Sequence, residues 1–264
     1  MDNGSAAELA PSFEIATVLG DTFGLMRDRP IAVFGVALLI SLPTRLWLIV
    51  LPTLAAQLNI TSYAVGFAFG GITSGLIAGI MQVFGQGALI TAARARNEER
   101  KAGFLETLSA AIRRAPMLLS IALIGNFGIM LGLICLIIPG IMLSLMWSVA
   151  GPVAVAEGTG VVETFRRSQA LTDNILARLF GLMLISGAGG GAYSWIAHRI
   201  GEALFGVGAK GLVYPFSPAP FFVVSMIDSV RTAFDLALFC SLYIALVRRD
   251  GGGPMYQHLN RIFE

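Results

Sequence analysis

Six long runs of apolar residues are the feature that most constrains the fold of this chain. Each run holds about 16 to 31 residues and almost no charge. A helix needs about 20 apolar residues to cross the hydrocarbon core of a bilayer. The pattern therefore predicts six transmembrane helices, over residues 31–51, 63–93, 117–138, 141–156, 175–197 and 221–247.

The composition favours a membrane protein over a soluble one. Of the 264 residues, 56% are hydrophobic and 13% are charged, whereas typical soluble domains carry roughly 25% charged residues. A soluble chain with so little charge would expose large apolar patches to water. We therefore predict an all-α polytopic membrane protein, with one six-span domain over residues 13–250 and tails at 1–12 and 251–264.

The third and fourth predicted spans are separated only by Pro139-Gly140. This dipeptide is typical of a tight turn. A turn at this position leaves a fourth span of about 16 residues, which is shorter than the usual crossing length. It therefore predicts local thinning of the bilayer.

The Lys and Arg residues predict the orientation, because they favour the cytoplasmic side of a membrane. With the N-terminus inside, 14 of the 18 lie on or beside cytoplasmic segments, and only Arg199 and Lys210 lie outside. The N-terminal residues lack the basic region of a cleavable signal peptide. The pattern predicts six spans with both termini in the cytoplasm.

Amphipathic segments precede the first, third and fifth predicted spans, at residues 13–30, 104–116 and 161–174. Short amphipathic helices with Arg near a membrane are typical of interfacial helices. We expect basic side chains on them to contact anionic headgroups at the cytoplasmic face, namely those of Arg113, Arg114, Arg166 and Arg167. The chain is then either a threefold repeat of interfacial helix plus transmembrane hairpin, or a polytopic protein with ordinary amphipathic connectors.

The last predicted span carries a charged cluster of Asp228, Arg231 and Asp235. Offsets of three and four residues put all three on one helical face, where Arg231 can pair with either carboxylate. Arg45 in the first span either pairs with one of these acids or extends to the outer interface. Charged residues at membrane depth face the bundle interior or a water-filled cavity. The cluster is thus either a self-neutralised structural unit or a site for an ion or a headgroup.

Polar and small residues in the other spans favour helix packing. Gln82 and Gln86 in the second span and Asn126 in the third are typical of hydrogen bonds between helices; the alternative is the lining of a polar pathway. Glycines spaced mostly four apart between Gly66 and Gly79, and the run Gly187–Gly191, predict close helix approach rather than a pore.

The run "LIIPGIMLSLMWSVAGPVAVAEGTGVVETFRRSQALTDNILARLFGLMLI" resembles the membrane module of some bacterial glycerophosphoryl diester phosphodiesterases and the YciC-like membrane proteins. The similarity lies in the I-P-G turn, "PVAVAEG", "TFRRSQALT" with Arg178 following, and the N-terminal "DTFGLMRDRP". It implies a helical inner-membrane module without the soluble barrel that carries the hydrolase chemistry. His198 and His258, the two histidines, are expected at opposite sides of the membrane.

These observations predict a protein without catalytic residues, metal or cofactor that acts in envelope or lipid homeostasis or as an assembly module. The lipid role is implied by the resemblance alone. One alternative is a small transporter that uses a cavity around Asp228, Arg231 and Asp235. Another is the membrane subunit of a separate phosphodiesterase. Expected partners are membrane lipids and a protein partner or second copy, but no nucleic acid.

Overall fold

The computed structural model describes residues 14–59, 63–97, 103–205 and 218–250. Within these ranges the chain forms ten α-helices, a 3-10 turn at Asp173–Ile175 and no strand. The predicted tails at 1–12 and 251–264 lie outside the described residues. The helices are α1 Ile15–Asp28, α2 Pro30–Gln57, α3 Tyr63–Asn97, α4 Phe104–Arg113, α5 Ala115–Cys135, α6 Ile137–Met146, α7 Ala150–Glu157, α8 Val161–Thr172, α9 Leu176–Phe205 and α10 Pro218–Arg249.

Six helical segments are long and apolar enough to cross a membrane, which confirms the all-α polytopic architecture. α6 and α7 together form the fourth segment. The segments cover Pro30–Trp47, Phe69–Arg96, Ala115–Cys135, Ile137–Glu157, Val161–Ala197 and Ser225–Arg249.

Three short amphipathic helices, α1, α4 and α8, precede α2, α5 and α9. Proline lies in the first turn of α2 and of α5, at Pro30 and Pro116, where its missing N–H costs no helical hydrogen bond. α4 and α8 each begin after an extended glycine, Gly103 and Gly160. All three short helices lie at the end of the bundle where α3, α7 and α10 end, which we call the basic end because Arg94, Arg96, Arg248 and Arg249 lie there.

The helices pack in a cyclic order with threefold character. The helices form three units, α1–α3, α4–α7 and α8–α10. Each short helix packs on the last helix of the preceding unit: α4 on α3, α8 on α7, and α1 on α10. The first long helix of each unit follows the same rule, since α5 packs on α3, α9 on α6, and α2 on α10. The chain therefore closes a ring in which the first unit contacts the third.

Burial separates a central set of helices from a peripheral set. Within one apolar stretch of 18 residues in each span, 44%, 44% and 61% of the residues are buried in the spans that contain α3, α6–α7 and α10. The corresponding shares are 22%, 22% and 17% in the spans that contain α2, α5 and α9. The largest fully buried side chains include Tyr243, Leu236 and Leu89 on the central helices. The core thus lies where α3, α7 and α10 meet, and the peripheral helices present apolar side chains to lipid.

The turn between the third and fourth spans lies at Leu136, so the prediction of a turn at Pro139-Gly140 is wrong. Leu136 is extended (φ −158°, ψ 133°), and Pro139 occupies the first turn of α6, where proline is tolerated. A Cβ added to Gly132 would lie 2.9 Å from the Cα of Gly140. Both glycines are needed because the two backbones touch. The fourth span contains 21 residues, so the prediction of a short fourth span is also wrong.

A break at Trp147–Val149 divides the fourth span into α6 and α7. Pro152 explains it, because proline offers no N–H to the carbonyl of Ser148 and its ring clashes with that turn. The N–H of Ala150 donates to Trp147 at 3.1 Å instead of to Met146. The Oγ of Ser168 on α8 donates to the freed Met146 carbonyl at 2.7 Å. The amphipathic helix α8 thereby stabilises the break.

Candidate functional site

A cavity of about 220 Å³ lies where α2, α3 and α10 meet, and we call it the charged cavity. α2 contributes Arg45, and α10 contributes three charged side chains on one face. The cavity wall also includes Thr44, Thr232 and Gln82. The four charged residues of the predicted cluster, Arg45, Asp228, Arg231 and Asp235, therefore line one space.

The four charges form two ion pairs. Arg45 pairs with Asp228, so of the two interpretations of Arg45 the structure shows the pairing across the bundle. Arg231 pairs with Asp235 on its own helix, with Nε and Oδ2 3.7 Å apart. At that distance the contact is electrostatic and not a good hydrogen bond. From the sequence spacing alone Arg231 could pair with Asp228, but the partner of Asp228 is Arg45.

Serines from α9, which the sequence argument did not include, complete the cluster. The Oγ of Ser186 donates to Asp235 at 3.3 Å, and Nη1 of Arg231 donates to the Oγ of Ser194 at 3.1 Å. Gly190 lies between the two serines in the sequence. The Arg231 guanidinium packs against it, and a Cβ added to Gly190 would lie 3.0 Å from Nε of Arg231. The two serines are eight residues apart in a glycine-rich helix. This helical spacing was the feature of the sequence that could have identified them as part of the cluster.

The cluster lies away from the basic end, and α2 continues for 12 residues beyond Arg45. At 1.5 Å per residue, Arg45 is about 22 Å from the start of α2. Aromatic side chains lie at a similar or slightly greater height: Trp47 donates to Thr73 at 3.1 Å, and Tyr193 donates to the carbonyl of Ile227. Trp and Tyr are enriched at membrane interfaces. Measured from the start of α2 across a hydrocarbon core about 30 Å thick, the charged cavity lies in the far half of the membrane.

A second cavity, of about 240 Å³, lies deeper in the bundle, and we call it the apolar cavity. Its wall includes Val83, Ile121, Met183 and Phe239, with Trp147 from the break between α6 and α7. Trp147 packs against Phe165 of α8 in a tilted arrangement, with ring centroids 4.7 Å apart. The break and α8 together shape this cavity.

The three amides lie at the two cavities. Gln82 lines both cavities, and Gln86 lines the apolar one, where its Oε1 lies against Gly151 of α7. Asn126 packs against Gly79 of α3, but its Nδ2 donates to Ala122 in its own helix at 2.7 Å. The interhelical hydrogen bond expected of Asn126 is replaced by an intrahelical one, and its contact with α3 is steric.

The glycine prediction is partly wrong. Added Cβ atoms at Gly71, Gly75, Gly187, Gly189 and Gly191 would meet no atom within 4 Å. These glycines face open space, so they do not bring helices together. Because lipid-facing and helix-facing positions are equally apolar, the spacing of small residues did not distinguish the two.

The four interfacial arginines divide into two kinds. Arg113 and Arg166 are exposed, as headgroup contacts require. Arg114 instead donates to the carbonyl of Ala154 at 3.3 Å, and Arg167 contacts Glu157 at 3.2 Å and Asp250 at 2.8 Å. Arg114 and Arg167 therefore bind groups at the end of α7, and headgroup contact of the four arginines stays a prediction.

A polar network at the basic end joins the three units, and the sequence argument missed it. Glu157 at the end of α7 has a side chain only 8% exposed and accepts a hydrogen bond from Tyr243 of α10 at 3.1 Å. Arg94 of α3 donates to the carbonyl of Ala156 at 2.7 Å. Cationic donors stabilise a helix C-terminus. Glu157 is a lone carboxylate at the end of an apolar run, and this feature of the sequence could have indicated the network.

A repeated acid–Thr–apolar triplet marks the three short helices. Thr22, Thr107 and Thr164 are each fully buried, and each donates its hydroxyl to the carbonyl four residues earlier, at 2.7, 3.0 and 2.9 Å. Each threonine is the central residue of its triplet, and the three triplets are DTF, ETL and ETF. The shared geometry supports the threefold character that the packing shows.

Among the described residues, no group of three or more His, Cys, Asp or Glu side chains is placed to hold a metal. His258 and the side chain of His198 lie outside the described part of the chain. No family model, no curated protein and no solved structure matches this sequence, so the resemblance to the phosphodiesterase membrane module stays a prediction.

Proposed function

We propose that this protein is a non-enzymatic inner-membrane protein that binds a membrane lipid by its headgroup in the charged cavity and acts in lipid or envelope homeostasis. Both termini lie in the cytoplasm, as the distribution of Lys and Arg favours. The charged cavity then opens toward the periplasmic leaflet. The resemblance to the phosphodiesterase membrane module supports the link to lipid.

The observation that carries the proposal is the partial exposure of four charges around one cavity. The side chains of Arg45, Asp228, Arg231 and Asp235 are 23%, 34%, 44% and 28% exposed. Both ion pairs are formed, yet all four side chains remain partly exposed along the wall of a cavity.

Arg231 supplies the hydrogen-bonding capacity that a headgroup needs. A guanidinium has five N–H donors, and among the described residues the Arg231 guanidinium donates one hydrogen bond, to Ser194. Its contact with Asp235 is 3.7 Å long. A phosphate can accept two parallel hydrogen bonds from such a group. Arg231 therefore acts as the phosphate ligand of the proposed site.

The test is lipid retention by the purified protein. Parent and Arg231→Gln are extracted in mild detergent, and co-purifying lipid is quantified by mass spectrometry. We expect the variant to lose most of the lipid that the parent retains. Arg27→Gln is the matched control, because it removes the same charge from an exposed position on α1. Equal retention by Arg231→Gln and the parent would reject the headgroup site.

The non-enzymatic part of the proposal has its own test. The purified protein is incubated with a glycerophosphodiester, with and without divalent cations, and released alcohol is measured. We expect no turnover. Turnover that follows the protein through successive purification steps would show that the chain is itself a hydrolase, whereas turnover lost on purification would point to a separate enzyme.

A further inference from the structure

The charged and apolar cavities adjoin each other. Gln82 lines both. On α10, Asp235 lines the charged cavity and Phe239 lines the apolar one, one turn further along the same helical face. At 1.5 Å per residue, Phe239 is about 6 Å deeper than Asp235. A polar space thus lies beside an apolar one, with Gln82 in the wall that they share.

The apolar cavity has the size and lining of a site for a hydrocarbon chain. An engineered cavity of about 150 Å³ with apolar walls stays dry and binds benzene, and this one measures about 240 Å³. Its wall combines aliphatic and aromatic side chains with a few polar groups. One of these, the Oγ of Ser148, is buried without a hydrogen-bond partner.

The charges select the headgroup. Two arginines and two aspartates sum to zero, and each sign is presented to the same space. A zwitterionic headgroup is complementary to such a site, because its phosphate can contact a guanidinium while its ammonium contacts a carboxylate. Hydrogen-bond acceptors at Asp228, Asp235 and Thr232 favour a primary ammonium, which has three donors.

We infer that the two cavities together bind one zwitterionic glycerophospholipid with a primary ammonium, its headgroup in the charged cavity and one acyl chain in the apolar cavity. This inference rests on the proposed headgroup site and adds the chain site. The same headgroup chemistry exists in the water-soluble glycerophosphoethanolamine. Lipid and soluble headgroup are therefore compared as two arms of one experiment.

A pair of substitutions at Ser148 tests the chain site. Ser148→Leu fills the apolar cavity, whereas Ser148→Ala removes the same hydroxyl without filling it. Binding of phosphatidylethanolamine and of glycerophosphoethanolamine to the full-length protein is measured by native mass spectrometry. We expect Ser148→Leu to weaken lipid binding about tenfold or more, a ratio that corresponds to about 1.4 kcal/mol. Ser148→Ala binds lipid like the parent, and neither variant changes binding of the soluble headgroup.

The outcomes separate this inference from the proposed function. If Arg231→Gln loses the lipid but Ser148→Leu keeps it, the headgroup site stands and the chain site is rejected. If Arg231→Gln keeps the lipid, the headgroup site is rejected and the inference falls with it. Equal affinity of the parent for lipid and soluble headgroup would also reject the chain site.

Photocrosslinking of the unaltered protein gives an answer that does not depend on a variant's stability. Phosphatidylethanolamine with a diazirine in one acyl chain is bound and irradiated, and the crosslinked residues are found by mass spectrometry. We expect crosslinks at Met183 and Phe239 in the apolar cavity. Crosslinks confined to exposed positions such as Leu123 and Phe127 on α5 would overturn the inference.

Discussion

The guanidinium of Arg45 on α2 is in ion-pair contact with the carboxylate of Asp228 on α10. This contact joins the first long helix of the chain to the last one, at the point where the ring of three units closes. Sequence spacing places Arg231 beside Asp228, but the tertiary structure gives Asp228 its partner from another helix. The first prediction follows from this pair.

Replacing Arg45 by Leu should destabilise the protein because Asp228 is then left without its partner. Breaking a fully buried pair from one side costs roughly 3–5 kcal/mol. Since Asp228 is 34% exposed, we expect a smaller loss, about 2 kcal/mol, measured as the free energy of unfolding in detergent. The double variant Arg45→Leu with Asp228→Asn should recover most of it. A single variant as stable as the parent would show that water compensates the carboxylate.

The hairpin between α5 and α6 should not tolerate a methyl group at Gly140. A Cβ there would lie 2.6 Å from the backbone nitrogen of Leu133, and backbone cannot shift as cheaply as a side chain. We expect Gly140→Ala to lower the free energy of unfolding by about 1–3 kcal/mol. Gly181→Ala on α9 is the control, because its Cβ meets no atom within 4 Å. Equal stability of the two variants would contradict the turn geometry.

The three buried threonines of the short helices should respond alike to the same substitution. Thr22, Thr107 and Thr164 are each 0% exposed, so Leu at any of them should overpack the site and cost about 1–3 kcal/mol. Exposed Thr17 on α1 should accept Leu with little change. Thermal unfolding of the four variants compares them. If one of the three buried positions accepts Leu freely, that short helix is not packed like the other two.

The arginines at the end of α4 and within α8 should differ in function. Changing Arg113 and Arg166 to Gln should weaken binding to vesicles of anionic lipid by at most about 1 kcal/mol per charge and leave stability unchanged. Changing Arg114 and Arg167 to Gln should lower the melting temperature, because the end of α7 loses its donors. Proteins reconstituted with and without anionic lipid give both measurements. Identical behaviour of the two pairs would contradict the geometry of the basic end.

The orientation is tested by labelling single cysteines from either side of the membrane. A tag at Glu99, at Asp173 or at the C-terminus should be accessible from the cytoplasm, and a tag near Lys210 from the outside, because Lys and Arg favour the cytoplasmic side. A tag near Lys210 that is reached only from the cytoplasm, while the others are unchanged, would remove the last two spans from this topology.

The sequence by itself determined the number of spans and the positions of the three short helices. Both follow from local properties, since a bilayer requires about 20 apolar residues for each crossing helix and an interfacial helix requires one polar face. It also brought Asp228, Arg231 and Asp235 onto one face of α10, because helical geometry fixes that relation.

Only the tertiary structure decided which helices are central, which residue pairs with Asp228, and where the two cavities lie. The physical reason is that lipid and protein interior are equally apolar, so a transmembrane helix carries little periodic signal for its buried side. Turn position depends on the same packing: Gly132 and Gly140 touch across the hairpin, which moves the turn to Leu136. Contacts between distant segments, such as that of Arg45 with Asp228, exist only once the ring of helices closes.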